Sequence, residues 1–75
     1  MPERTDWEAK ARGLIRAEMA GKNVTYSQLV ERLESLGVSE DERNLRNKVS
    51  RGKFTAAFML QCLAALGVSS VRLSD

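Results

Sequence analysis

The stretch Ser39-Glu-Asp-Glu-Arg-Asn-Leu-Arg-Asn-Lys-Val-Ser-Arg-Gly-Lys53 decides how the rest of the chain is interpreted. Ser39 and Glu42 have the S-x-x-E spacing of a capping box, in which each side chain accepts from the other residue's free backbone N–H. The box therefore predicts a helix that begins at Glu40, and Gly52 is a typical stop at its C-terminal end. We expect one short helix over residues 40–51.

The two sides of this predicted helix differ in chemistry. Leu45 and Val49 lie four residues apart, so they share one face, and they are the helix's only apolar residues. Arginine and asparagine are the side chains that best read guanine and adenine edges in the major groove of DNA. We interpret the helix as a recognition helix and expect base-edge contacts from the residues on its other side, which are Arg43, Asn44, Asn47, Ser50 and Arg51.

Charge along the chain is distributed unevenly. The net charge of +2 over 75 residues is too small to indicate a nucleic-acid partner by itself. Residues 43–53, however, contain five basic residues and no acid, whereas residues 31–42 contain five acids and one arginine. A charged helix face is usually only a solvated one, but the absence of balancing acids and the interleaved Asn and Ser residues favour DNA binding here.

Composition excludes several classes of protein. A hydrophobic content of 43% and a charged content of 29% indicate one soluble globular domain over residues 1–75. The single Cys62 excludes an internal disulfide and, because there is no His, a His/Cys zinc site. Neither a signal peptide nor an apolar run of membrane-spanning length is present, so we expect a cytoplasmic protein, complete as it stands.

No arrangement of residues in the sequence predicts catalysis. There is no His, no Gly-rich phosphate loop, and no nucleophile with a base nearby in sequence. The neighbouring acids at 40–42 would point in different directions on a helix, so they do not predict a metal site. We therefore expect no enzymatic activity, no cofactor, no metal and no small-molecule ligand.

The first helix is predicted at about residues 6–20. Thr5 and Glu8 repeat the capping-box spacing at its start. Gly13 lies inside it and weakens it by about 1 kcal/mol relative to Ala, unless a neighbouring backbone comes close there. Its buried stripe would consist of Trp7, Ala11, Leu14, Ile15 and Met19.

The second helix has the clearest signals. Thr25 and Gln28 form a capping box, and Val24 is positioned to pack on Leu29 as a hydrophobic staple. Gly37 is placed to end the helix. The buried stripe would consist of Leu29, Val30, Leu33 and Leu36.

A last helix is predicted at about residues 56–66, with Thr55 as its cap and Gly67 as its stop. Its only polar residue is Gln61, and a helix that is apolar all round is central to a core or shared with a partner. We expect both. Residues 69–75 are predicted to form a short strand or an ordered tail. The candidate dimer surface is Phe58, Met59, Cys62, Val71 and Leu73.

Several segments of residues 25–68 resemble a known family. TYSQLVERL, LGV, NLRNKVSRGKF and LQCLAALGV resemble the helix-turn-helix core of lambda-repressor-like domains. WEAKARGLIRAE, TYSQLVERL and SRGKFTAAFMLQCL are similar, more closely, to a small bacterial family of uncharacterised domains with this expected fold. The resemblance implies an all-α bundle of four to five helices, with 26–36 as the supporting helix and 40–51 as the recognition helix. It also implies sequence-specific binding of double-stranded DNA as a dimer.

The sequence departs from the pattern of that family in two places. Val30 stands where a small residue is usual, and Gly37 comes about one helical turn later than the motif expects. The spacing from Gly37 to Gly52 is longer as well. These departures predict that both helices of the motif are about a turn longer than is usual.

We therefore expect a DNA-binding transcriptional regulator that acts as a homodimer. Two alternatives remain open: a protein-interaction module that uses helix 56–66 and the basic face 43–53, and an RNA-binding regulator. Phosphate contacts are expected from basic residues and from the start of the second helix. These candidates are Lys22, Thr25, Tyr26, Ser27, Gln28, Arg46, Lys48 and Lys53.

Overall fold

The structure, a computed structural model, describes residues 3–73, with side chains from residue 6 onward. The described chain forms four helices, which are α1 (Glu3–Lys22), α2 (Tyr26–Ser35), α3 (Glu42–Arg51) and α4 (Ala56–Ala65). Residues 3–73 contain no strand, so the prediction of an all-α chain is confirmed. None of these helices is both long enough and apolar enough to cross a membrane.

One apolar core joins all four helices. α1 and α2 each pack against both α3 and α4. No polar or charged side chain is buried among the described residues, so burial of apolar surface holds the helices together. The core consists of Ile15, Met19, Val24, Leu29, Leu33, Leu45, Val49, Phe58, Cys62 and Leu66.

The predicted ends of α2 are confirmed. The Gln28 backbone N–H donates to Thr25 Oγ1 (3.1 Å), and the Thr25 N–H donates to Gln28 Oε1 (2.9 Å), which completes the capping box. At the other end Gly37 has a φ of 84°, and the Val38 N–H donates to the Leu33 carbonyl (2.9 Å). This is the Schellman arrangement, which satisfies carbonyl groups left without a partner in the last turn.

α4 also begins at a threonine cap and ends at a glycine, although it lacks the second bond of the capping box. Thr55 Oγ1 accepts from the Phe58 N–H (3.0 Å), and the Val68 N–H donates to the Leu63 carbonyl (2.9 Å) across Gly67. The repeated Leu-Gly-Val sequence therefore corresponds to the same helix stop in both helices.

The predicted start of α3 is wrong. The helix begins at Glu42, and its cap is Asp41, whose Oδ1 accepts from the Asn44 backbone N–H (2.8 Å). Asp41 also accepts from the Asn44 side-chain amide through Oδ2 (3.1 Å), a second bond that a Ser39 hydroxyl cap would not provide. The residues that lengthen the spacing from Gly37 to Gly52 therefore lie in the connection between α2 and α3, residues 36–41, and not in α3. α2 and α3 are ten residues each, whereas the predicted helices over 26–36 and 40–51 would be slightly longer.

Two residues assigned to buried stripes are exposed instead. α1 begins at Glu3, so Thr5 lies inside the helix and is not its cap. Trp7 is 63% exposed, because at 100° per residue it lies beside the buried stripe of α1. Leu36 is 52% exposed, because it follows the last helical residue of α2 and no longer continues the stripe.

Gly52 allows α3 and α1 to approach closely. It ends α3 in the left-handed conformation, with a φ of 70°, and it is buried. A methyl group built on it would lie 2.9 Å from the Glu8 carbonyl carbon and closer still to the carbonyl oxygen. The backbone of α1 therefore occupies the space that any other side chain at position 52 would need.

Replacement of Gly52 by alanine should be more destabilising than the same change at Gly67. Both glycines have positive φ, so each alanine should lower the free energy of unfolding by about 1–2 kcal/mol. A methyl group on Gly67 would meet no atom within 4 Å. At Gly52 the methyl group would overlap the backbone of Glu8, so Gly52→Ala should lower the free energy of unfolding by a further ~1–3 kcal/mol. Urea denaturation followed by circular dichroism measures both, and equal losses would contradict the close approach.

Candidate nucleic-acid interface

The outward face of α3 carries three side chains for which the described part of the chain provides no partner. Arg43, Asn47 and Arg51 are exposed, and among the described residues none of them has a hydrogen bond or a salt bridge. They follow one another at i, i+4 and i+8, so they form a ridge roughly 12 Å long. On the opposite side Leu45 and Val49 are completely buried, as predicted. The helix therefore attaches through one face and leaves Arg, Asn and Arg available on the other.

Two other residues expected to contact bases have partners within the protein. Asn44 is held by Asp41 through both its backbone and its side-chain amide. Ser50 faces α1, where its carbonyl accepts from Arg12 and its hydroxyl accepts from Arg16. Both residues belong to the sides of the helix, because they lie about 120° from the centre of the buried face instead of opposite it.

Arg46 and Lys48 lie on the two flanks of α3, and each has an acidic partner. Arg46 Nη2 is 2.6 Å from Glu42 Oε2, and its guanidinium lies 4.9 Å from the centre of the Tyr26 ring. Lys48 pairs with Glu40, and its ammonium lies 4.8 Å from the centre of the Phe58 ring. These contacts orient the two cations and neutralise part of their charge.

The remaining predicted phosphate contacts lie at the ends of helices. Lys53 is exposed and has no salt bridge among the described residues, whereas Lys22 Nζ is 3.5 Å from Glu18 Oε1. The capping box of α2 occupies the N–H groups of Thr25 and Gln28, which leaves those of Tyr26 and Ser27 without an acceptor inside the helix.

Sequence reasoning missed the contribution of α1 to this surface. Neither Arg12 nor Arg16 is among the residues predicted to contact DNA. The structure brings both guanidiniums to Ser50, at the C-terminal end of α3. Their spacing of four residues places them on one flank of α1, but the sequence does not show which helix that flank meets.

The apolar surface of α4 differs from the predicted one. The prediction that Phe58 and Cys62 belong to a dimer surface is wrong, because both side chains lie in the core of their own chain. Met59 is half-buried. Leu60 is instead 67% exposed. Val71 and Leu73 are exposed, in an irregular tail. A shallow groove beside them is lined by Leu60, Leu63, Ala64, Val68, Ser69, Ser70 and Val71.

The tail that follows α4 contains no strand in its described part, residues 69–73. Lys10 Nζ donates to the Leu73 carbonyl (3.0 Å), so the tail is attached to α1. The ordered-tail alternative is therefore the one that the structure favours. The last two predicted tail residues, Ser74 and Asp75, lie outside the described residues.

Cys62 is buried and does not have the surroundings of a reactive thiol. Burial, together with the nearby Glu40 carboxylate, raises the pKa of the Cys62 thiol to about 12, while Lys48 acts in the opposite direction with a smaller effect. The reactive form of cysteine is the thiolate, so Cys62 behaves as a small core hydrophobe. Within the described part of the chain, no group of three or more His, Cys, Asp or Glu residues is arranged to hold a metal ion.

The fold and this surface define a small all-α domain with a basic, outward-facing helix. The chain belongs to the DUF6471 family, a domain of unknown function, whose family model matches residues 7–71. Searches of curated proteins and of solved structures found no match to the chain.

The cap of α3 can be tested by a pair of alanine substitutions. Asp41→Ala should lower the free energy of unfolding by about 0.5–2 kcal/mol, because the N-terminal N–H groups of α3 lose their acceptor. Ser39→Ala should have almost no effect, since Asp41 and not Ser39 is the cap. Chemical denaturation measures the free energy of unfolding of both variants. A larger loss of stability for Ser39→Ala than for Asp41→Ala would show that α3 begins at Glu40, as the sequence predicts.

Proposed function

We propose that this chain is a sequence-specific, double-stranded DNA-binding transcriptional regulator of the helix-turn-helix type. α2 is the supporting helix and α3 is the recognition helix, which enters the major groove. The observation that carries the proposal is the ridge of Arg43, Asn47 and Arg51 on a helix whose other face is buried. These three side chains are exposed, and they have no hydrogen bond or salt bridge with any described residue.

The dimensions and chemistry of the ridge suit a major groove. That groove is about 12 Å wide and accepts an α-helix, whose diameter with its side chains is about 10–12 Å. Arginine pairs in a bidentate manner with guanine O6 and N7, and asparagine pairs with adenine N6 and N7. We assign base contacts to Arg43, Asn47 and Arg51. Asn44 and Ser50 are not assigned base contacts, because their side chains already form hydrogen bonds within the protein.

The cations around the ridge suit phosphates. Lys53 has no acidic partner among the described residues and can bind a phosphate directly. Arg46 is in an exposed salt bridge, which contributes only about 0–1 kcal/mol, so a phosphate can readily replace the Glu42 carboxylate. The Glu40 side chain is only 10% exposed, so we expect Lys48 to keep this partner and to bind a phosphate through its remaining ammonium donors. Arg46 also lies over Tyr26, so it is next to the free N–H groups at the start of α2, where an anion is favoured.

RNA is the less favoured nucleic acid. The major groove of A-form RNA is deep and narrow, and side chains cannot read it, while single-stranded RNA is recognised largely by stacking on aromatic rings. Among the described residues Trp7 is the one aromatic side chain that is largely exposed, and it lies on α1 instead of α3.

We propose a second copy of the chain as the partner of the α4 surface. A ten-residue recognition helix contacts few base pairs, and regulators of this type extend their sites by binding as two-fold dimers with half-sites about one helical turn apart. Leu60 is the centre of this surface, because it is exposed and α4 contains no charged residue. A different protein partner on the same surface is the alternative.

A gel-shift series at increasing salt separates these functions. The protein is mixed with a pool of random duplex DNA, with RNA of the same length, and with neither. We expect binding to duplex DNA whose affinity falls steeply as salt rises, because phosphate contacts release counterions. Tighter binding to RNA than to duplex DNA, or the absence of binding to either nucleic acid, would contradict the proposal.

Arg43→Ala and Asn47→Ala should weaken binding to a selected duplex by roughly 1–3 kcal/mol and relax the base preference at one position each. The reason is that each variant loses contacts to a base edge and retains the phosphate contacts. Arg32→Ala is the matched control, because Arg32 is also an exposed arginine but binds the Ala65 carbonyl of α4. Fluorescence anisotropy with selected and random duplexes measures the effect.

Equal weakening on selected and random duplexes would show that Arg43 and Asn47 bind only the backbone of DNA. An equal loss of DNA affinity in Arg32→Ala and Arg43→Ala would show that α3 is not the part of the protein that binds DNA.

Leu60→Glu should shift the protein from dimer toward monomer, because it places a carboxylate in an apolar contact. Leu36→Glu is the matched control, since Leu36 is another exposed leucine (52%) but lies at the end of α2. Sedimentation equilibrium measures the mass of both. An unchanged mass for Leu60→Glu would exclude this surface of α4 as the interface.

A further inference from the structure

Two arginines of α1 converge on one residue of α3. Arg12 Nη1 donates to the Ser50 carbonyl (2.9 Å), and Arg16 Nη2 donates to Ser50 Oγ (3.1 Å). Arg12 and Arg16 are one helical turn apart on α1, so their guanidiniums lie side by side at the last turn of α3. Ser50 is exposed, and Arg16 is exposed as well.

A purely structural role explains Arg12 but not Arg16. The last carbonyls of a helix have no partner inside it, and Arg12 supplies one. Arg32 does the same for α4 by donating to the Ala65 carbonyl (3.3 Å), and there one arginine is sufficient. At α3 a second arginine is added, and it binds the side chain and not the backbone. The second positive charge is therefore not needed to end the helix.

The charge of this arrangement has no acidic partner in the part of the chain whose side chains the structure describes. Among residues 6–73, no carboxylate lies within salt-bridge distance of Arg12 or Arg16. Two like charges held this close repel each other, and an anion between them would remove the repulsion. Each guanidinium has five N–H donors, of which one is used in the contact with Ser50, so donors remain for that anion.

The position of the arrangement indicates which anion it would meet. Ser50 is one helical turn from Asn47 and next to Arg51, so it borders the proposed base-reading ridge on the side of α1. A helix in the major groove is flanked by the phosphates of both strands, and arginine matches a phosphate with two parallel hydrogen bonds. The hydroxyl of Ser50 can rotate to become a third donor.

We propose that Arg12, Arg16 and Ser50 form a clamp for one phosphodiester of the duplex that α3 reads. This proposal rests on the proposed function of α3 and adds a contact from α1 to it. The clamp positions α3 on the backbone and carries no base preference. Two members of the clamp belong to α1 and one belongs to α3. A phosphate bound to all three would therefore also hold α1 and α3 in their relative orientation.

The salt dependence of DNA binding tests the clamp. In the double variant Arg12→Gln/Arg16→Gln, the slope of log Kobs against log[salt] should become shallower by about 0.9, the value for one lost phosphate contact. The base preference should remain that of the wild type. Arg32→Gln is the matched control and should keep the wild-type slope, because Arg32 makes the same kind of carbonyl contact toward α4.

The single variant Arg16→Gln distinguishes loss of the clamp from loss of folding. It leaves Arg12 on the Ser50 carbonyl, so α3 keeps its C-terminal partner while the clamp loses one guanidinium. We expect a smaller change of slope in this variant, and recovery of the slope in Arg16→Lys, which restores the charge. A wild-type slope in both Arg16→Gln and the double variant, with DNA still bound, overturns the clamp and leaves the proposed function intact.

A titration with inorganic phosphate, followed by amide and guanidinium NMR signals, shows whether the clamp is preformed. We expect shifts at Ser50, Arg12 and Arg16 that are absent in the double variant. Such shifts together with an unchanged salt slope would indicate an adventitious ion only and overturn the clamp. Failure of the wild type to bind any duplex overturns the proposed function itself, and with it a DNA phosphate as the occupant.

Discussion

The position of α3 depends on its close approach to α1 at Gly52. Only two side chains of α3, Leu45 and Val49, are buried, so the helix has little apolar surface with which to hold itself in place. Gly52 lets the backbone of α1 pack directly on the end of α3. Burial of two aliphatic side chains contributes roughly 3–6 kcal/mol, and a helix of ten residues is not stable alone in water. The outward face is therefore available because the attachment is confined to one narrow side and one end.

Electrostatics divides the surface of α3 into two parts. Its flanks carry Arg46 and Lys48, whose charges are partly neutralised by Glu42 and Glu40. Its outward centre carries Arg43, Asn47 and Arg51 without partners among the described residues. The exposed salt bridge of Arg46 with Glu42 is weak and exchanges readily, whereas the donors of the outward centre have no described partner and are already placed for a ligand. In our account the centre of the helix provides specificity, and the flanks together with α1 provide affinity.

Much of the fold was predictable because local chemistry determines it. Thr25 and Thr55 cap their helices, and Gly37, Gly52 and Gly67 adopt positive φ where each helix stops. These features need only neighbours three to five residues away.

The errors arise where two local solutions compete, or where packing between helices decides. Ser39 and Asp41 are both good N-caps, and the additional bond from Asn44 to Asp41 favours the later one. Trp7, Phe58 and Cys62 were misplaced because an apolar residue on a helix does not reveal which neighbour covers it. The convergence of Arg12 and Arg16 on Ser50 joins positions 34 and 38 residues apart, so no local pattern contains it.

Selection of bound sites from a pool of random duplexes tests the central claim, that α3 reads DNA sequence, most directly. We expect an enriched motif with guanine and adenine at the positions read by Arg43, Asn47 and Arg51, arranged as two inverted half-sites about one helical turn apart. Recovery of a pool without any enriched motif, from a protein that binds duplexes well, would contradict the reading role of α3.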